Sequence, residues 1–112
     1  MIDNWTPLDI AQWHEKTFPD TNRAGQVAKL REEKEEWRTS HNIDELADVY
    51  IVACGLLRFA TKDAAIAFHF VEEQCLLNGI FASALLKAVD NKMKINYNRK
   101  WEATKNGAYH HI

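Results

Sequence analysis

Two pairs of acidic residues carry the most chemical information in this sequence. Glu33 and Glu36 form the first pair, and Glu45 and Asp48 form the second. Residues three apart are neighbours on a helix surface, so each pair would share one helical face. Carboxylates gathered in this way repel one another unless protons or cations are present, and such oxygen ligands suit Mg²⁺ or Mn²⁺ better than Zn²⁺. The spacing therefore indicates a divalent-metal site.

The short segment between the two pairs predicts that they face each other. Residues 39–42 are typical of a tight turn between two antiparallel helices. Residues equidistant from such a turn lie opposite each other, which places Glu33 against Asp48 and Glu36 against Glu45. A single acidic pair of this kind is common on a solvated helix face, where it makes only weak ion pairs. The second pair lies in an otherwise apolar helix, and this favours the functional interpretation.

The elements that must position these acids are predicted to be helices. Capping residues and turn residues divide the chain into five helical segments, and no stretch shows the sustained alternation of a strand. The predicted helices cover about residues 7–17, 22–38, 43–60, 63–78 and 80–101, with Asp63 as a cap. The fold class is therefore all-α, an antiparallel helical bundle of four to five helices in a single domain, 1–112.

A nearly all-round apolar surface over residues 49–57 predicts burial by more than one neighbour. We therefore expect the bundle to be completed by oligomerisation, as a homodimer or homotetramer.

Bulk composition excludes several classes of partner. The formal net charge is -2 and the pI is near 6.2, so no strong positive field is available to hold a nucleic-acid polymer. The longest apolar run is too short to span a bilayer, so no membrane partner is expected. Cys54 and Cys75 lie in apolar stretches without a CxxC spacing, which favours free thiols and a reducing cytoplasm.

The acidic motifs also resemble those of a known superfamily. Glu-Glu-x-x-Glu at 32–36 followed by Glu-x-x-Asp at 45–48 is similar to the metal motif of the MazG-like, all-α NTP pyrophosphatases, which include dimeric dUTPases. Lys29 and Leu30 ahead of the first motif, and a polar stripe in the last helix, extend the resemblance over roughly residues 8–101. One departure is that eight residues separate Glu36 from Glu45, fewer than is usual in that family.

The resemblance implies Mg²⁺-dependent hydrolysis of a nucleoside or deoxynucleoside triphosphate to the monophosphate and pyrophosphate. The implied metal ligands are Glu33, Glu36, Glu45 and Asp48, with Mn²⁺ as a substitute ion. Glu33 and Glu36 are accordingly also candidate catalytic residues. Glu32 is a further catalytic candidate that lies off the main acidic stripe, where it would position water or a second metal.

The triphosphate and the base need binding groups of their own. Lys92, Asn96 and Arg99 recur along one face of the last helix and are the phosphate candidates; the alternative is an ordinary basic stripe near a helix C-terminus. Aromatic surface with nearby polar groups suits a base. The base-binding candidates are Trp13, His14, Gln26 and Lys29.

A di-iron bundle and a non-catalytic helical oligomer are the two rival functions. A di-iron bundle needs a Glu-x-x-His pattern, and no histidine here has a glutamate three residues before it. A non-catalytic metal-binding helical oligomer, or a protein-interaction module, remains the alternative to the enzyme. The sequence leaves open which base and sugar are preferred, and whether the site binds one metal ion or two.

Overall fold

The computed structural model describes residues 4–99, 101–103 and 109–111 of the chain. It confirms the all-α prediction, with an added short hairpin. None of the described helices combines the length and apolar character needed to cross a membrane. The elements are α1 (Pro7–Thr17), α2 (Arg23–Ser40), α3 (Ile43–Leu56), α4 (Thr61–Asn78), α5 (Ala82–Asn98), β1 (Trp101–Ala103) and β2 (Tyr109–His111).

Helix α3 is the centre of the bundle, and α1, α2, α4 and α5 all pack against it. Its buried side chains point in every direction, from Leu46 near its start to Leu56 at its end. The other four helices therefore cover the all-round apolar surface that the sequence showed. That surface no longer argues for a partner subunit, and the homodimer or homotetramer stays a prediction.

The helix starts are fixed by local hydrogen bonds. Thr6 and Asp9 form the predicted capping box of α1, with the Thr6 side chain accepting from the Asp9 amide. The prediction that Asp63 caps α4 is wrong. That helix begins at Thr61, and Asp63 lies in its first turn, where Arg23 of α2 binds it at 2.7 Å. Asp63 therefore ties two helices together instead of starting one.

The predicted ends of two helices are also corrected. Helix α3 ends at Leu56, and the four residues that follow form a tight turn held by backbone bonds such as Leu57 N–H to Cys54 carbonyl. Helix α5 ends at Asn98 because Arg99 adopts an extended backbone. The chain then forms β1, which pairs antiparallel with β2. Strands of three residues are too short to show alternation in a sequence.

The link between α2 and α3 is as short as predicted. Helix α2 closes at His41, which adopts a left-handed conformation at φ 54° and donates its backbone N–H to the Trp37 carbonyl at 2.8 Å. Asn42 then caps α3 by accepting from the Asp44 amide at 2.9 Å. Two residues thus reverse the chain, and α2 and α3 run antiparallel side by side.

Candidate metal centre

Four carboxyl groups converge where α2 and α3 face each other. Glu33, Glu36, Glu45 and Asp48 each offer one oxygen, and these four oxygens all lie within 4.8 Å of one another. Glu33 is buried, Glu45 and Asp48 are half-buried, and Glu36 is exposed. The cluster therefore has a closed floor at Glu33 and an open side at Glu36, as a site that admits a ligand from solvent requires.

Glu33, at the floor of the cluster, is buried among other acids. Glu33 is 6% exposed, and among the described residues its Oε2 has no hydrogen-bond partner. Burial, repulsion from Asp48 and the close carboxyl of Glu36 raise the pKa of Glu33 to about 8. Burial likewise raises the pKa of Glu45 and of Asp48. A buried carboxylate oxygen without a partner, in a set of only oxygen donors, fits a hard divalent cation.

Two lysines partly neutralise the acids. Lys92 of α5 places its Nζ 3.2 Å from Asp48 Oδ2, which lowers the pKa of that carboxyl against the effect of burial. Lys29 lies 3.4 Å from Glu33 Oε1 and 3.6 Å from Glu32. Lys29 therefore lies beside the acids, and the base-binding role predicted for it stays a prediction.

A cavity of about 410 Å³ adjoins the acids, and all twelve residues predicted for the site line it. The acids and Lys29 are joined there by Lys92, Asn96 and Arg99 of the α5 end. Trp13, His14 and Gln26 also line it. The structure therefore brings the residues predicted to bind metal, phosphate and base together around one cavity. Their positions in the sequence are too far apart to show this.

Four further residues line this cavity that the sequence analysis did not select: Phe18, Thr21, Ile51 and Val52. Phe18 packs edge-on against Trp13, with ring centroids 5.3 Å apart, and its ring lies 4.8 Å from that of His14. Phe18 and Thr21 belong to the loop after α1. The signal that could have found Phe18 is an aromatic residue placed directly before the Pro19 helix break. Together these rings give the cavity an aromatic end.

The polar groups behind this aromatic end are paired within the protein. His14 Nε2 lies 3.0 Å from Gln26 Oε1, and Gln26 Nε2 donates to the Val52 carbonyl at 3.1 Å. Arg58, also missed from the sequence, lies 2.7 Å from His14 Nδ1. Burial and the nearby Arg58 charge lower the pKa of His14 to about 4. His14 is therefore neutral near pH 7, which suits a wall and not a general acid.

The phosphate candidates differ in exposure. Lys92 is half-buried on Asp48, Asn96 is buried, and Arg99 is exposed just past the end of α5. The Asn96 amide lies 3.9 Å from the Met93 sulfur. All three line the cavity, so they form a polar wall on α5 beside the acids on α3.

The sequence is similar to that of a named phage protein. The chain is 30% identical over 105 residues to a protein of Salmonella phage PMBT28 named dATP/dGTP diphosphohydrolase. The match covers 92% of this chain and 29% of the phage protein, so the chain spans less than a third of that relative. No protein-family model matches the sequence. No solved structure matches it either.

Proposed function

We propose that this chain hydrolyses a nucleoside triphosphate to the monophosphate and pyrophosphate in a metal-dependent reaction, as a MazG-like pyrophosphatase domain. The observation that carries the proposal is the cavity that joins four converging carboxyls to a basic wall and an aromatic end. The phage relative supports it by its name. We extend that support to deoxyadenosine and deoxyguanosine triphosphates as the first substrates to test.

Glu33, Glu36, Glu45 and Asp48 would hold the metal, which we propose to be Mg²⁺, with Mn²⁺ as a substitute. When bound, the ion supplies positive charge for the phosphate oxygens and lowers the pKa of a coordinated water. The chain contributes the arrangement of its carboxylates, with Glu33 fixed in the bundle and Glu36 at the open side. The partnerless Glu33 oxygen would gain its missing partner there.

The remaining polar groups bind and orient the substrate. Lys92 and Arg99 would donate charged hydrogen bonds to the phosphates, and the Asn96 amide a neutral one. Lys92 would exchange Asp48 for a phosphate, since the metal takes over the neutralisation of that acid. The Glu32 carboxylate is 57% exposed beside Lys29. It would accept a hydrogen bond from a water at the rim of the site.

Water is the nucleophile that fits this site. Neither cysteine lines the cavity, and burial raises the pKa of both thiols, so neither supplies a thiolate near pH 7. His14 has both ring nitrogens occupied by Arg58 and Gln26. A hydrolysis that depends on positioned water and charge is therefore the chemistry these residues support.

The test is pyrophosphate and monophosphate release from a panel of ribo- and deoxyribonucleoside triphosphates, with Mg²⁺ or with a chelator. We expect release only with the metal, and Glu36→Gln and Asp48→Asn should each abolish it. Glu35→Gln is the matched control, because Glu35 lies on the same helix but its side chain is 73% exposed and pairs with Arg38.

Full activity in both acid variants would refute the ligand assignment. Absence of release from every nucleotide by the unmodified chain would refute the enzyme proposal and favour the metal-binding module. Sedimentation of the same sample tests the homodimer or homotetramer, which a stable monomer would contradict.

A further inference from the structure

Arg58 lies behind the aromatic end of the cavity, in the turn between α3 and α4, and is not among the residues that line the cavity. Its Nη1 is 2.7 Å from His14 Nδ1, 3.1 Å from the Phe18 carbonyl and 3.3 Å from the His14 carbonyl. One guanidinium thus holds the last turn of α1 and the start of the following loop. The two residues that Arg58 contacts, His14 and Phe18, both line the cavity.

The directions of the hydrogen bonds in this network are determined at its two ends, by Arg58 and by the Val52 carbonyl. A guanidinium can only donate, so His14 Nδ1 must accept and the single ring proton of the neutral imidazole must lie on Nε2. That proton is donated to Gln26 Oε1 at 3.0 Å. At the other end a carbonyl can only accept, so the Gln26 amide nitrogen is oriented toward Val52, to which it donates at 3.1 Å. Arg58 and the Val52 carbonyl therefore select the same tautomer and the same amide orientation.

The network is also pressed against the backbone of α3. A Cβ atom added at Gly55 would lie 2.4 Å from Gln26 Nε2 and 2.9 Å from His14 Cδ2. Contacts this short do not occur between ordinary non-bonded atoms, so only glycine lets the two side chains lie so close to the helix. His14 and Gln26 are each 5% exposed. Neither can reorient while Arg58 and Gly55 hold them.

We propose that Arg58 is a positioning residue for the base of the nucleotide, acting through His14 and Gln26 without touching the substrate. The inference rests on the proposed function, and it deepens it by assigning the base end of the cavity. The ring nitrogens of His14 and the amide oxygen of Gln26 are already hydrogen-bonded within the protein. This part of the cavity wall therefore offers a base a fixed shape instead of free hydrogen-bonding groups. Base recognition here is by fit and by stacking on the half-buried Trp13, against which the buried rings of Phe18 and His14 pack edge-on.

The variants to compare are Arg58→Met, which keeps the length of the side chain but removes the donors, and Arg58→Lys, which restores one charged donor. Arg23→Met is the control, because it removes an arginine whose side chain is 62% exposed and pairs with Asp63 at the surface. All are made in the full chain, and circular dichroism establishes that each folds. If Arg58→Met fails to fold, Arg58→Lys carries the comparison.

The first measurement is steady-state kinetics with dATP and Mg²⁺. We expect Arg58→Met to raise KM on the order of tenfold, or about 1.4 kcal/mol of binding free energy, because the wall that the base meets is no longer held in one orientation, with kcat changed by less than about twofold. Arg58→Lys should recover part of the KM. Unchanged KM in Arg58→Met, or an equal loss in the Arg23→Met control, would overturn the proposal.

Two measurements without turnover separate this inference from the proposed function. Nitrogen-15 spectra of the histidine side chain should show the Nε2–H form of His14 in the wild type, and a shift of the Nδ1 resonance in Arg58→Met, where that nitrogen has lost its hydrogen-bond donor. Calorimetry with dAMP in chelator should show weaker binding by Arg58→Met. If the wild type binds dAMP as expected but releases no pyrophosphate, the proposed function alone fails. If it neither binds dAMP nor turns over, both fail.

Discussion

Replacing Glu33 by Gln should stabilise the metal-free protein, because the native carboxyl is buried among other acids. Its pKa in the folded chain is about 8, against an ordinary value of 4.5. Since folding raises this pKa, the folded state holds a proton that the unfolded state has lost. The contribution to stability is thus fully present below about pH 4.5 and is lost as the pH rises toward about 8.

The pKa shift gives a magnitude. Each pKa unit corresponds to about 1.4 kcal/mol, so complete ionisation of Glu33 would destabilise the folded chain by up to roughly 5 kcal/mol. The other three acids lie close enough for a proton on one of them to reduce the repulsion, and the Lys29 ammonium lies 3.4 Å from Glu33 Oε1. Both effects reduce the cost of ionising Glu33. We expect Glu33→Gln to exceed the wild type in free energy of unfolding by about 2 to 4 kcal/mol near pH 8 without metal.

The assay is urea unfolding in chelator at several pH values between about 6.5 and 8, above the range in which the burial of His14 acts in the opposite direction. The wild type should lose stability across this range, while Glu33→Gln should lose much less. Added Mg²⁺ should then stabilise the wild type more than the variant. Glu35→Gln, with its exposed carboxyl on the same helix, should behave like the wild type. A Glu33→Gln protein less stable than the wild type near pH 8 in chelator would refute the reasoning.

Four further substitutions test the packing of the bundle. Gly55→Ala should destabilise the chain by roughly 2 kcal/mol, because its methyl group would overlap Gln26 and His14; urea unfolding measures this, and an unchanged midpoint would contradict it. Between about pH 6.5 and 4 the unfolded chain takes up a proton that buried His14 does not, so His14 should contribute a loss of up to roughly 3 kcal/mol on acidification, opposite in sign to the contribution of Glu33. His14→Gln should lack this component in thermal unfolding, and equal acid sensitivity would contradict its cause. Trp37→Phe removes the 2.9 Å bond to Gln74 from a fully buried site and should cost about 1 to 2 kcal/mol in the same melts; Gln74→Met should also destabilise the chain, because it leaves the buried Trp37 N–H without its acceptor.

The acid cluster could be predicted from the sequence because its geometry is local. The i, i+3 spacing fixes which carboxyls share a helix face, and the two-residue link fixes which faces meet. Both rules act within residues 33–48, so no knowledge of the rest of the fold was needed. The position of Lys29 could not be read as reliably. Its flexible side chain forms an ion pair with Glu33, four residues later, and the prediction that Lys29 binds the base did not include this contact.

The groups behind the cavity could not be predicted, because they depend on contacts between distant parts of the chain. Arg58 reaches His14 only because α1 folds over the C-terminal end of α3. In the sequence, Gly55 is only a residue that disfavours a helix. The structure shows why glycine is needed there, because the side chains of Gln26 and His14 occupy the space of a Cβ atom. Likewise Asp63 looks like a cap until its partner Arg23 is seen.

The two-residue link between α2 and α3 also bears on the order in which the parts of this protein form during folding. Joining two helices across so short a segment costs little loop-closure entropy, so the paired acids belong to the fastest-forming kind of contact. The polar wall of Lys92, Asn96 and Arg99 comes from the last of the described helices, so its contact with the acids closes a much longer loop. The chain should therefore form the proposed cation-binding half of its site before the proposed phosphate-binding half. Under the proposed function, damage to α5 would leave a protein that still binds metal but no longer binds a nucleotide.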